Sequence, residues 1–173
     1  MIGPPEVIAE AVLKHKPLSV ALLILHLEWM TQRHFIECIR DDQGLDNQFA
    51  SMLRHHWMEE AQHAMLDTLM VAELAKGMPE AEIVSCVDGY LEIGGMIDDG
   101  LKQQTLFDLT AMMKASGRTL GEAEHARLAE QQHQAMRWTY LGSGISHPNF
   151  LRSVEALSPA QAARLADTAT VFA

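Results

Sequence analysis

The sequence predicts an all-α chain, an antiparallel four-helix bundle with short flanking helices at its two ends. Three observations lead there. Apolar residues recur at the helical period over four long stretches, helix stop signals separate those stretches, and strand-like alternation is nearly absent. Four helices of roughly 25 to 35 residues joined by short turns pack most simply side by side and antiparallel.

A short helix is expected from Pro5 to Lys16. Pro17 opens a long one that runs to about Arg40 and ends in Asp41-Asp-Gln-Gly44, with Gly44 as a left-handed terminator. The second long helix starts at Asp46 or Asn47 and runs to Lys76, where Gly77 and Pro79 stop it. The third covers Glu80 to Ala115 and ends at Ser116-Gly117-Arg118. The fourth opens with Thr119-Leu-Gly-Glu122, read as a capping box whose two side chains satisfy free backbone N–H groups, and fades at Gly142 and Gly144. A helical tail follows over 147–173, with a further start signal at Ser158-Pro159-Ala-Gln161. Nothing resembling a linker divides the 173 residues, so they read as one domain with its core in 17–144.

Composition narrows the function. There are 23 acidic and 13 basic residues, a net charge of −10, and no basic run, which argues against nucleic acid or an anionic membrane as partner. The most apolar stretch, Leu18 to Leu27, is too short to span a bilayer and is interrupted by His26 and followed by Glu28. Cys38 and Cys86 form no CxxC pair, and the start lacks the pattern of a signal peptide, so a cytoplasmic protein is expected. Val20 to Leu27 is apolar on nearly all sides, which points to burial against more than one neighbour, a second copy in a homodimer among them. The 11 methionines suit an adaptable helical core.

The chemistry concentrates in His55-His-Trp-Met-Glu-Glu60-Ala-Gln-His63-Ala-Met-Leu-Asp67. Glu60 and His63 form an E-x-x-H, and Glu130 and His133 form a second one in the fourth helix. Residues three apart share a helix face, so each pair can reach one point. One such motif is weak evidence; two, each near the middle of a long helix, are far less often accidental. Glu28 is the acidic residue within the apolar part of the first long helix, and Glu28 and Glu60 are centred on Gly44. Reflection through the later turns points to 96–106 on the third helix, where Asp98 lies on the inward stripe of Val84, Val87, Leu91 and Leu101. Glu92 is the fallback, with Gly94-Gly95 able to host a local bulge. His56 and Asp67, one turn to either side of the motif, are candidates to support the ligands from behind.

Four carboxylates and two histidines at one level of a bundle resemble the ferritin-like di-iron carboxylate proteins, whose pattern over four helices is carboxylate, E-x-x-H, carboxylate, E-x-x-H. Here the pattern maps to Glu28, Glu60 with His63, Asp98 or Glu92, and Glu130 with His133. The resemblance implies two iron ions, manganese or a mixed pair being also compatible with such ligands. Two divalent ions bring four positive charges, which four carboxylates neutralise; without metal, that many buried carboxylates repel one another. The short Gly77-Met-Pro-Glu80 turn leaves three wirings open: up-down-up-down, residues 80–94 as a crossover, or a second chain completing the site.

The resemblance implies an oxidase or oxygenase that activates dioxygen on a small organic substrate and takes electrons from an external donor. Met52, Leu53, Met70, Leu101 and Tyr140 are the expected substrate wall, at helical spacing from the ligands. Two other readings compete: a ferritin-like metal-binding or ferroxidase protein without organic substrate, and a metal-free helical interaction module. Metal content separates the last from the first two.

Overall fold

The computed structural model describes residues 4–172, and they are helical with no strand among them. The elements are α1 (Pro5–Leu13), α2 (Pro17–His34), α3 (Asn47–Ala75), α4 (Glu80–Ser116), α5 (Glu122–Arg137), α6 (Ser143–Ile145), α7 (Pro148–Glu155) and α8 (Pro159–Ala169). A π turn over Phe35–Ile39 prolongs α2, another over Trp138–Gly142 joins α5 to α6, and a 3₁₀ turn closes the chain at Thr170–Phe172. None of the described helices is long and apolar enough to cross a membrane.

Local chemistry sets the boundaries. Pro5, Pro17, Pro148 and Pro159 stand in the first turns of their helices, where the missing N–H is not needed. Asp46 caps α3 by accepting from the N–H groups of Gln48 and Phe49, and Ser158 caps α8 by accepting from Gln161. Gly77 and Gly117, with φ of 76° and 67°, end α3 and α4 in the left-handed region. Gly44 does not do this after α2. Its N–H donates to Asp42 Oδ1 at 2.7 Å, so an aspartate-directed turn reverses the chain without positive φ. The cap of α5 also lies two residues later than expected: Glu124 accepts from the Gly121 N–H at 3.1 Å, and Thr119 and Glu122 are not the capping pair.

The long helices pack in the order α3–α2–α4–α5. The first pair is antiparallel: Gln32 donates to the Trp57 carbonyl, and Phe35 stacks on Trp57 at 4.9 Å. The last pair is antiparallel too, with Asp98 beside His133 and Asp108 accepting from Gln132. Between them α2 and α4 run parallel, since Ser19 donates to the Cys86 carbonyl and His26 meets the Tyr90 hydroxyl. Gly89 permits this approach, because a Cβ there would lie 2.7 Å from Ser19 Oγ.

The core gathers at one end of this row. Leu18, Leu22 and Leu25 of α2 meet Val71 of α3, Val87 and Ile93 of α4, Phe150 and Val154 of α7, and Leu165 of α8. The tail is thus part of the core; full burial of a side chain such as Phe150 stabilises by about 2–3 kcal/mol. It covers part of the apolar stretch Val20 to Leu27, since α2 packs on α3, α4, α6 and α7, while Ile24 stays 39% exposed. The C-terminal part of α4 with α5, and the N-terminal part of α3, extend beyond the core.

Candidate metal centre

Glu28 on α2 and Glu60 and His63 on α3 come together where the antiparallel pair brings their levels into register. One donor atom from each lies within 4.8 Å of the others. His63 Nδ1 is 2.9 Å from Glu60 Oε2 and 4.0 Å from Glu28 Oε1, and its Nε2 is 3.2 Å from Glu59 Oε1. His56 Nε2 lies 3.0 Å from Glu60 Oε1. Asp67 is buried one turn beyond His63, but Glu60 and Glu59 occupy the two ring nitrogens.

The electrostatics are those of crowded carboxylates held together by protons. Burial pushes the Glu28 carboxyl up to about 7, assisted by its hydrogen bond with Glu60 and the charges of Glu60 and Asp67. Burial acts on Glu60 in the same direction, but hydrogen bonds with Glu28 and His63 and the charges of His56 and His63 outweigh it, and Glu60 stays below its ordinary value. The hydrogen bond to Glu60 raises His63 above its ordinary value, with Glu59, Glu60 and Glu28 adding to it. Burial raises Asp67, partly offset by His63. Glu28, Glu60 and His63 thus present two carboxylates and an imidazole to one point, a donor set of the kind that binds divalent iron, manganese or zinc.

The other expected ligands lie elsewhere. Asp98 Oδ1 is 2.8 Å from His133 Nε2 and also 2.8 Å from Arg137 Nε, so this carboxylate already has a cation beside it. Arg137 in turn lies over the Phe172 ring, 5.0 Å from its centroid. Glu130 is exposed beside Trp138 and Phe172. Glu92 is 73% exposed and pairs with His15 at 3.4 Å, a surface contact that leaves Asp98 as the acid opposite the second E-x-x-H.

The two sets also open in different directions. Asp98 lines a cavity of about 250 Å³ together with His26, Tyr90, Gly94, Arg137 and Phe172. Glu28 follows His26 by two positions, about 200° round α2, and so projects from the opposite side of that helix. The chain therefore brings together Glu28, Glu60 and His63, and separately Asp98 and His133, without joining all six at one point. No family model, curated protein or solved structure matches this chain.

The expected substrate wall is dispersed as well. Met52, Met70 and Tyr140 are 56%, 39% and 43% exposed, Leu53 is half-buried, and Leu101 lies in a groove between α1 and α4. Helical spacing placed these residues near the ligands but could not tell a chamber wall from an outer face.

Two further side chains shape the surroundings, and the first, His26, faces away from Glu28 as its position in the sequence implies. His26 is buried between the Tyr90 hydroxyl at 2.6 Å and the Tyr140 carbonyl at 3.0 Å, and burial lowers it to about 4, against the raising effect of that carbonyl. Arg137 is the other, and its signal was present: it follows His133 by one turn on the same face. A further regularity was also available. Glu28, Glu60 and His63 recur as Asp98, Glu130 and His133, each 70 positions on, and α2 and α4 pack parallel at close to that offset, Ser19 lying against Gly89.

Proposed function

We propose that the chain is a metal-dependent oxidoreductase of the ferritin-like kind, in which Glu28, Glu60 and His63 hold iron or manganese for reaction with dioxygen and a small organic substrate. The convergence of those three donors within 4.8 Å carries the reading. When bound, the metal would supply reversible one-electron chemistry, with electrons from an external donor. The chain's own contribution is positional and protonic. Antiparallel packing of α2 on α3 fixes the carboxylates opposite each other, and in the metal-free chain the Glu28–Glu60 pair holds a proton that metal binding would release. His56 beside Glu60 orients that carboxylate from outside. Asp67, buried one turn from His63, adds negative charge behind the imidazole.

One observation favours a narrower reading. The His63 side chain is 47% exposed and the expected substrate wall is dispersed, which suits oxidation of the metal itself, a ferroxidase without organic substrate. The test begins with metal content of protein purified without chelator, beside Glu60→Ala. Bound iron or manganese that is lost in the variant is the expected result. Oxygen uptake with Fe(II) alone would then favour the ferroxidase, and uptake only with added organic substrate the oxygenase. No uptake of Fe(II) or Mn(II) by the intact chain would overturn both, leaving a metal-free interaction module.

A further inference from the structure

Three protein donors leave an ion of this kind unsaturated, and the side of the chain from which a fourth would come is open. The exposed stripe of α3 runs through the site itself. Met52, Glu59, Leu66 and Met70 lie within about 60° of His63 round the helix, and the three apolar ones are 56%, 63% and 39% exposed. Across the α2–α3 groove, Ile24 stands one turn before Glu28 and is 39% exposed. A candidate metal ligand thus sits within a strip of mixed apolar and ionisable side chains, His56 and Glu59 among them, that none of the described residues covers. The second set of donors cannot cover it, because Asp98 and His133 pair with each other on the other side and Asp98 is also held by Arg137.

We propose that a second copy of this chain covers the strip, so that Glu28, Glu60 and His63 of both copies surround one dinuclear metal centre on a two-fold axis. The inference rests on the metal reading of the preceding section. Its occupant is fixed by arithmetic of ligands: two identical triplets supply four carboxylates and two imidazoles, the complement that neutralises two divalent ions. A two-fold contact is self-complementary, so each strip needs no surface other than itself. The α2–α3 pairs of the two copies then form the four helices around the site.

Charge makes the association depend on metal. Each chain carries a net charge of −10, and facing triplets would oppose like carboxylates across a desolvated interface. Metal ions reverse that term at the centre, while Ile24, Met52, Leu66 and Met70 close over the flanks. Metal-free chains should therefore stay apart at concentrations where loaded chains pair.

The experiment measures mass by sedimentation of the full chain, metal-free and after anaerobic loading with Mn(II) or Fe(II), with metal counted in the same fractions. The expected result is one ion per chain and a mass twice the 19.2 kDa of a single chain, with metal-free protein and Glu60→Ala monomeric. Leu66→Glu and Met70→Glu, both at exposed positions, should weaken pairing of loaded protein at least 100-fold. Three results would overturn the proposal: one ion per chain with the mass of a single chain, two ions in a single chain, or a dimer indifferent to metal and to both glutamate substitutions. Absence of any metal uptake would remove the metal reading and this inference with it; uptake without doubling removes this inference alone.

Discussion

Replacing Glu28 by glutamine should stabilise the metal-free protein at alkaline pH and leave it unchanged at acidic pH. Glu28 is raised from 4.5 to about 7, by burial first and by Glu60 next. A carboxyl raised on folding keeps its proton in the folded chain over a range where the unfolded chain has released it. Its contribution is therefore undiminished below pH 4.5 and becomes a growing cost as pH rises through 7. At 1.36 kcal/mol per pH unit the full cost is about 3 kcal/mol. The Glu28 side chain is 16% exposed, and solvent at this rim and the opposite shift of Glu60 reduce it to about 1–2 kcal/mol. Glutamine has the shape of the protonated acid and can still donate to Glu60. Urea denaturation of chelator-treated protein at pH 5 and pH 8 reads the effect directly. Stability equal to the parent at pH 5 and higher by about 1–2 kcal/mol at pH 8 is expected. A variant destabilised equally at both values, or with the parent's pH profile, would refute the crowded-carboxylate account of this site.

Acid should expose His26. Its folded value of about 4 lies below 6.5, so its contribution is complete above pH 6.5 and is lost as pH falls toward 4, up to about 3 kcal/mol. Burial lowers His147 to about 4 as well, with Arg33 and Arg152 adding, and it acts in the same direction. Because Glu28 opposes both over much of this window, thermal midpoints of Glu28→Gln should fall from pH 7 to 4.5; a flat profile in that variant would contradict neutral burial of His26. Gly144→Ala should cost about 2–3 kcal/mol in chemical denaturation, since a Cβ there collides with the His26 ring and 2.7 Å from its carbonyl; an effect under about 0.5 kcal/mol would show that α2 and α6 can separate freely. Asp98→Asn should leave metal content unchanged, because Asp98 is held by Arg137 and His133 away from Glu28. Loss of metal in that variant would show that all six sequence-expected ligands meet in solution.

Much of the architecture was legible because it rests on local chemistry. Pro17, Asp46, Gly77, Gly117 and Ser158 mark boundaries through their own backbone or side-chain preferences, and these boundaries hold. Gly44 misled because a glycine after a helix reads as a left-handed cap, whereas the adjacent Asp42 supplies a competing turn. The pairing of Glu28 with Glu60 and His63 was legible too, since reflection through the α2–α3 turn depends only on chain length. Which pairs of helices then face each other is a question of packing over long separations. The order α3–α2–α4–α5 depends on Ser19 against Gly89, His26 against Tyr90, and the tail filling the core, none of which has a periodic signature.

The duplicated triplets explain why one side of the chain reads as a metal site and the other does not. At the offset of 70 that relates Glu28, Glu60 and His63 to Asp98, Glu130 and His133, the residue corresponding to Asp67 is Arg137. Around the first triplet Glu59 and Asp67 add further carboxyl groups with only imidazoles beside them, and the Glu28–Glu60 pair retains a proton, through burial first and their mutual contact next. Around the second, Arg137 supplies a permanent cation 2.8 Å from Asp98, anchored by the Phe172 ring. A divalent ion at the proposed first site would relieve repulsion; at the second it would have to displace a guanidinium already paired and partly desolvated. A single change of sign at one helical position thus separates a set of donors with only titratable imidazoles beside it from one that carries a permanent cation.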